Sequence, residues 1–202
     1  MTSTFKEVDL LDRYRRSIRG NVRAYWAGLI SYFDFYEGMI TSLESGVTLA
    51  FHAGLKDCGI EPEDMSPAEQ GALIYNMRFE ALWIEGFARA IDEGSKANGG
   101  KLTPLFDRAE IWIGRWVGIR SEARAMACAD QPLEWVLGPS EESCPSCSKL
   151  AGKVKRASWW YDNGILPRVH AAWYLACGGW RCKCELVPTK KPLSRGRMPS
   201  LP

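Results

Sequence analysis

The sequence predicts a mainly helical protein with a small cysteine-rich module and short β-strands at its C-terminal end. Three observations support this fold class. Apolar residues recur at spacings of three and four through about the first 130 residues, glycine and proline punctuate these stretches, and five of the seven cysteines lie in the last third of the chain. With 202 residues and 46% hydrophobic content, the chain can bury a core.

The first two helices are predicted from their apolar faces. One apolar face runs from Leu10 to Phe33. A second apolar face runs from Ile40 to Leu55, and Gly38 lies between the two. The second helix is expected to end near Cys58-Gly59, where glycine can take the left-handed C-cap conformation.

Two more helices are predicted from their start signals. Residues 66–69 combine an N-cap serine, a proline at the first helical position and a glutamate three residues after the cap, and the helix they open is expected to reach Asn98. Thr103-Pro104 repeats this signal and opens a fourth helix that runs to about Ala129.

The composition changes near residue 131. Residues 133–137 and 184–187 have the short apolar character of strands, and the chain after residue 188 is basic and rich in proline. We therefore predict a helical domain over 1–131, a cysteine-rich module over 132–188 and a flexible basic tail over 189–202.

The five clustered cysteines have the spacing of a metal site. Cys144 and Cys147 form a CxxC pair, in which two thiolates can grip one tetrahedral ion, and the later Cys177-Gly-Gly-Trp-Arg-Cys182-Lys-Cys184 can close the shell. Zinc is favoured over an iron–sulfur cluster, because thiolate-rich sites in small modules are usually structural zinc. We expect one zinc ion per chain.

The ligand set stays open, because five cysteines compete for four positions. Cys144 and Cys147 are the strongest candidates and Cys184 is the next. In an extended segment Cys182 would point the same way as Cys184, but the two glycines after Cys177 would permit a knuckle that brings in Cys177 instead. His170 is a sixth candidate.

The other two cysteines, Cys58 and Cys128, are isolated in the sequence. The odd total of cysteines and the absence of a secretory signal point to a reducing compartment, where disulfides are rare. Cys58 and Cys128 are therefore expected to be small buried hydrophobes, and the isolated His52 is expected to be structural.

The sequence offers no evidence for a membrane protein or an enzyme. No stretch approaches about 18 uncharged apolar residues, and no metalloprotease helix, nucleophile elbow or phosphate-binding loop is present. A closed thiolate shell would also leave no open position for catalysis. We expect a non-enzymatic protein.

The module is basic and aromatic. Its cations either form a solvated surface or contact phosphates or an acidic protein ring. Its aromatic residues either pack around the metal or stack on bases. The cations are Lys149, Lys153, Lys155, Arg156, Arg168, Arg181 and Lys183, and the aromatic residues are Trp159, Trp160, Tyr161, Trp173, Tyr174 and Trp180.

The module and the helical front end each contain motifs in a characteristic order. In the module these are Trp135, Cys144-x-x-Cys147, Leu150-x-Gly152, Ile165-Leu166-Pro167 and the block from Cys177 to Cys184, and in the helical part they are Tyr25-Trp26-x-Gly28, Phe33-x-Phe35-Tyr36 and Ala50-Phe51-x-x-Gly54. The order in the module resembles the C-terminal signature of phage head-morphogenesis proteins, the minor head proteins of tailed bacteriophages, including the Mu-type. The helical front end is similar to theirs as well.

One position departs from the family pattern. The common form ends in His-Pro-x-Cys-Arg-Cys, and Gly179 stands where that histidine would be. Cys177 or His170 could take its place among the ligands.

The resemblance implies a minor capsid protein, present in few copies in the virion and in the host cytoplasm during assembly. Its expected partners are the portal or other head proteins, with non-specific contact to packaged DNA, and its expected role is head assembly or DNA delivery. The alternative is a nucleic-acid-binding regulator with a zinc ribbon. An enzyme of the toxin or transferase kind is disfavoured, since no further catalytic domain is recognisable.

Overall fold

The predicted fold class is confirmed. The computed structural model describes residues 2–139, 142–169, 174–179 and 182–201, with side chains from residue 9 onward. It is mainly helical, with 59% helix and 6% strand. The helices are α1 Thr2–Trp26, α2 Tyr32–Lys56, α3 Pro67–Ala81, α4 Ile84–Glu93, α5 Leu102–Ala127, α6 Pro145–Leu150 and α7 Ala157–Asp162, and the strands are β1 Pro132–Val136, β2 Val154–Arg156 and β3 Glu185–Pro188.

The first helix ends earlier than predicted. Gly28 takes a left-handed conformation with φ of 70° and stops α1, which a residue with a side chain would do less readily. Ser31 and Asp34 then cap α2: the Ser31 backbone N–H donates to Asp34 Oδ2 at 2.9 Å, and the Asp34 N–H donates to Ser31 Oγ at 3.2 Å. Gly38, the predicted boundary, lies inside α2.

Two of the other predicted helix signals are confirmed, whereas the predicted start signal Thr103-Pro104 lies inside α5, which begins one residue earlier at Leu102. Ser66 and Glu69 form a reciprocal cap, with the Ser66 N–H donating to Glu69 Oε2 at 2.7 Å. Gly59 takes the expected left-handed conformation, with φ of 76°. The predicted single helix from residue 66 to Asn98 is wrong, however, because the chain turns at Leu82-Trp83 and continues as α4.

The chain forms two compact units, and their division differs from the predicted boundary at residue 131. One unit takes in the chain up to Leu49 together with Gln70–Trp116, and the other takes in Ala50–Glu69 and everything from Val117 on. The ends of α2 and α5 therefore belong with the cysteine-rich module.

The first unit has an aromatic core and a buried ion pair. The Phe35 ring stacks on Tyr25 with centroids 4.7 Å apart and meets Phe87 edge-on at 6.3 Å. The Arg115 guanidinium donates to Glu80 Oε1 at 2.6 Å, and both side chains are at least 94% buried. Paired charges of this kind are costly to break, because either partner alone would be an unpaired buried charge.

The second unit is organised by a three-stranded antiparallel sheet in the order β2-β1-β3. Trp135 of the central strand lies opposite Leu186 of β3 and is fully buried. Trp160 of α7 packs on it, with ring centroids 5.7 Å apart, and donates its indole N–H to the Leu133 carbonyl at 3.1 Å. The predicted strands near residues 133–137 and 184–187 are confirmed, and β2 is an additional strand.

A disulfide bond joins Cys58 and Cys128, so the prediction that both are unpaired buried hydrophobes is wrong. The end of α2 approaches α5 so closely that a side chain on Gly54 would collide with the Arg120 carbonyl. Asp57 accepts hydrogen bonds from the guanidinium groups of Arg120 and Arg124 beside it. This close approach brings the two cysteine Cα atoms within 5.4 Å of each other.

The C-terminal segment was predicted to be a flexible tail, but its described part packs on the second unit. Ser194 exchanges hydrogen bonds with the backbone of Val154, both at 2.9 Å. Met198 and Leu201 pack against the core, and Lys191 pairs with Glu134 at 2.6 Å. The free edge of β2 and the apolar side chains near the C-terminus explain this packing, since both gain partners by it.

In the part of the chain that the structure describes, no helix is both long and apolar enough to cross a membrane.

Candidate metal centre

The helix α6 presents the first two cysteines. Cys144 is its N-cap, and the sulfur of Cys144 accepts the backbone N–H of Cys147 at 3.4 Å. Pro145 occupies the first helical position, where its missing N–H costs nothing. This local geometry places both sulfurs on the same side of one tight turn, and Cys147 is 2% exposed.

Ser146, between these two cysteines, ties the Cys177 segment to α6. Its fully buried hydroxyl accepts the backbone N–H of Ala176 at 2.9 Å and lies 3.5 Å from the Tyr174 carbonyl oxygen. The chain then reaches Cys177 and two glycines in left-handed conformations, with φ of 60° and 79°. These conformations allow the knuckle that would bring in Cys177, whose sulfur lies within 4.8 Å of that of Cys144.

The residues just before β3 present the last two cysteines. Gly138 lies against the Lys183 carbonyl so tightly that a side chain there would collide with it. Arg168 holds the same stretch, because its guanidinium donates to the carbonyls of Lys183 at 2.6 Å and Cys184 at 3.1 Å. Cys184 is 5% exposed.

The five thiols form two groups that share one member. Within each group all sulfurs lie within 4.8 Å of one another, so each group could hold a metal ion. Cys147 belongs to both groups, and its sulfur lies 3.8 Å from that of Cys182. The groups are Cys144–Cys147–Cys177 and Cys147–Cys182–Cys184.

The crowding of the thiols shifts their pKa values in opposite directions. Hydrogen bonding from Cys147 and then from Cys182 lowers the pKa of Cys184 to about 2. Hydrogen bonding to Cys182 and then to Cys184 raises the pKa of Cys147. A bound cation would favour the thiolate form of all the cysteines that it contacts.

All five predicted cysteine ligands meet in this cluster. Cys177 and Cys182, the two alternative ligands, lie in different groups, and both groups contain Cys147. The sixth candidate, His170, lies outside the described residues.

Comparison with protein-family models, with curated proteins and with solved structures finds no match to this chain.

The protein itself engages several cations of the module. Lys155 donates to the Ser194 carbonyl at 3.0 Å and lies 5.6 Å from the centroid of the Trp159 ring. Lys149 donates to the Ser200 carbonyl at 2.9 Å, and Arg156 pairs with Asp130. These contacts stabilise the C-terminal segment and reduce the charge that is free to meet a partner.

The aromatic residues of the module differ in how deeply they are buried. Trp160 is fully buried in the hydrophobic core of the second unit, whereas Trp159, Tyr161 and Tyr174 are partly buried against that core. Trp173 and Trp180, the other two aromatic residues predicted to pack around the metal or to stack on bases, lie outside the described residues.

Sequence reasoning missed two residues that hold the cluster together, Ser146 and Arg168. A serine between two cysteines and an arginine 14 residues before the last CxC pair carry no recognisable sequence signal. Of the two, Arg168 is marked as unusual by its backbone, because it is a non-glycine residue with a positive φ of 59°.

Proposed function

We propose that the cluster binds one structural zinc ion. Two sulfurs on one tetrahedral zinc, at Zn–S of about 2.3 Å, lie roughly 3.8 Å apart. The separation of Cys147 and Cys182 sulfurs is 3.8 Å. Cys147, Cys182 and Cys184 would supply three ligands, and Cys144 or Cys177 the fourth.

A zinc ion with four thiolates has no open position, so its contribution is folding energy rather than chemistry. At this site it would join α6, through Cys147, to the segment before β3. The surrounding core is small, which makes such a cross-link valuable for stability.

We propose further that the chain is a minor head protein of a tailed bacteriophage that acts in head morphogenesis. The observation that carries this proposal is the five-cysteine cluster itself, built from CxxC and CxxxxCxC segments in the residue order that resembles head-morphogenesis proteins. The expected place is the portal or the capsid interior, with DNA delivery as a further role.

The remaining features fit a place beside packaged DNA. The segment 189–201 carries Lys190, Arg195 and Arg197, which are exposed, and it is anchored to the module rather than loose. An anchored basic segment would offer phosphates a fixed surface at a lower entropic cost than a free tail.

The test of the head proposal is the composition of phage particles. Mass spectrometry of purified heads and of assembly intermediates should detect this chain in few copies per particle. A lysate of the same phage carrying a Cys144→Ser/Cys147→Ser chain should yield fewer complete heads. Absence of the chain from mature heads and from assembly intermediates alike would overturn the proposal.

The alternative, a nucleic-acid-binding regulator with a zinc ribbon, is favoured by the pocket that Trp159 and the exposed Arg197 line together. Filter binding separates the two functions. A regulator should prefer one DNA sequence over others, whereas a head protein should bind DNA without preference and with a steep dependence on salt.

A further inference from the structure

Residues 182–184, which we call the CxC arm, carry the last two cysteines of the cluster. Arg168 makes hydrogen bonds to the backbone of this arm. Its side chain is 15% exposed, and its guanidinium donates to the Lys183 and Cys184 carbonyls at 2.6 and 3.1 Å. Glu185 Oε1 accepts a third bond from it at 3.1 Å.

The backbone of Arg168 is itself unusual. Its φ of 59° lies in the left-handed region, which arginine rarely adopts. Its carbonyl lies against Gly118 of α5, where any side chain would collide with it. A residue held in this conformation between a helix and the CxC arm is a fixed support, since packing on both sides determines it.

A second observation points to the same arm. The indole N–H of Trp135 is fully buried and has no oxygen or nitrogen acceptor within the described residues. It lies beside the sulfur of Cys184. A buried N–H beside a sulfur is suited to a metal-bound thiolate, which is a stronger acceptor than a thiol.

We propose that Arg168 is a positioning residue of the metal centre, which holds the CxC arm so that Cys182 and Cys184 meet Cys147 in a ready-made set of ligands. This inference rests on the metal binding proposed above. Outer hydrogen bonds of this kind orient the ligands before the metal arrives, so that less ordering is needed on binding.

The planar fork of arginine is essential to this role. It can hold two carbonyls and a carboxylate at once, whereas a lysine ammonium would offer the same charge without the fixed geometry. Arg168→Asn removes the guanidinium and keeps a residue that tolerates positive φ. Arg168→Lys keeps the charge and the aliphatic stem, and is expected to fold even if Arg168→Asn does not.

The experiment is a Zn²⁺ competition titration of the full chain against a chromophoric chelator. Both Arg168 variants should bind Zn²⁺ about 10 to 100 times more weakly than the unmodified chain. Arg156→Asn is the matched control, because Arg156 is a surface arginine of the same unit that pairs with Asp130. It should bind Zn²⁺ like the unmodified chain.

Co²⁺ gives a readout that a loss of stability alone would not move. At saturating Co²⁺, the thiolate-to-metal charge-transfer bands of the Arg168 variants should be weaker, because the CxC arm no longer presents both thiolates. Unchanged bands, an unchanged Zn²⁺ affinity in either variant, or full rescue by Arg168→Lys would overturn the proposal. Failure of the unmodified chain to bind Zn²⁺ would instead overturn the metal site itself.

Discussion

Cys147 is the residue on which a bound metal would depend most, because its thiol belongs to both groups of cysteines. Each of the other four belongs to one group. Its burial, at 2% exposure, also means that an unpaired thiolate there would be poorly solvated. Single substitutions at the four unshared cysteines can therefore separate the two groups.

We expect Cys147→Ser to abolish zinc binding, because it removes the one thiol shared by both groups. Of Cys144→Ser and Cys177→Ser, one should keep about one zinc per chain, since a single tetrahedral ion needs four of the five cysteines. The measurement is zinc content by elemental analysis after gel filtration. Cys58→Ser is the matched control and should keep its zinc; full zinc content in Cys147→Ser would contradict the expectation.

At the residue scale, the clustering of the five cysteines was predictable, and the residues that support the cluster were not. The CxxC spacing of Cys144 and Cys147 has a direct physical meaning, because it fits one tight turn around one ion. Ser146 and Arg168 act across 30 and 16 residues of chain, on Ala176 and Cys184. Contacts at such separation leave no local pattern to detect.

At the scale of elements, the meeting of α2 and α5 decides the redox state of two cysteines. Gly54 lets the helices approach, and Asp57 links them through Arg120 and Arg124. The disulfide then closes a loop of 70 residues. The sequence indicated only two isolated cysteines, because each lies near the end of a different helix.

The disulfide should stabilise the second unit by about 4 kcal/mol, through the lost entropy of the unfolded loop. Cys58→Ser/Cys128→Ser should therefore unfold at a lower urea concentration than the unreduced chain, with zinc present in both. The double variant should also be insensitive to a phosphine reductant.

Counting thiols provides the control for this prediction. After denaturation and chelation without reductant, five of the seven cysteines should be alkylated. Seven alkylated cysteines, or equal urea midpoints for the double variant and the unreduced chain, would contradict it.

Helix ends were predictable where side chains cap the backbone locally. Ser66 and Glu69 exchange hydrogen bonds within four residues, so their pattern is visible in the sequence. The turn at Leu82-Trp83 contains no glycine or proline, so the sequence does not indicate a break in the helix there. The three residues of β2 were missed for a similar reason, since so short a strand has no recognisable alternation and exists through its pairing with β1.

At the scale of the whole molecule, the metal should matter for one unit more than for the other. The five clustered cysteines all lie in the second unit, whereas the first unit has its own aromatic core. The two units can therefore respond differently to the same change in conditions.

Removal of the metal should disorder the module and spare most of the helices. Chelator added under reducing conditions is expected to reduce the near-ultraviolet signal of the packed Trp135–Trp160 pair, because the sheet loses its cross-link. The far-ultraviolet helical signal should largely persist. Cys144→Ser/Cys147→Ser, as the control, should not respond to chelator; loss of most of the helical signal on chelation would contradict the prediction.

The sequence alone determined the helical class, the Ser66–Glu69 cap, the left-handed glycine after α2 and the identity of the five clustered cysteines. These depend on residues within a few positions of one another, whose spacing is visible along the chain. Tertiary structure decided that Cys58 pairs with Cys128, that Cys147 is shared, that Arg168 holds the CxC arm and that the C-terminal segment packs on β2. Each of these joins residues far apart in the chain, so only the folded arrangement brings them together.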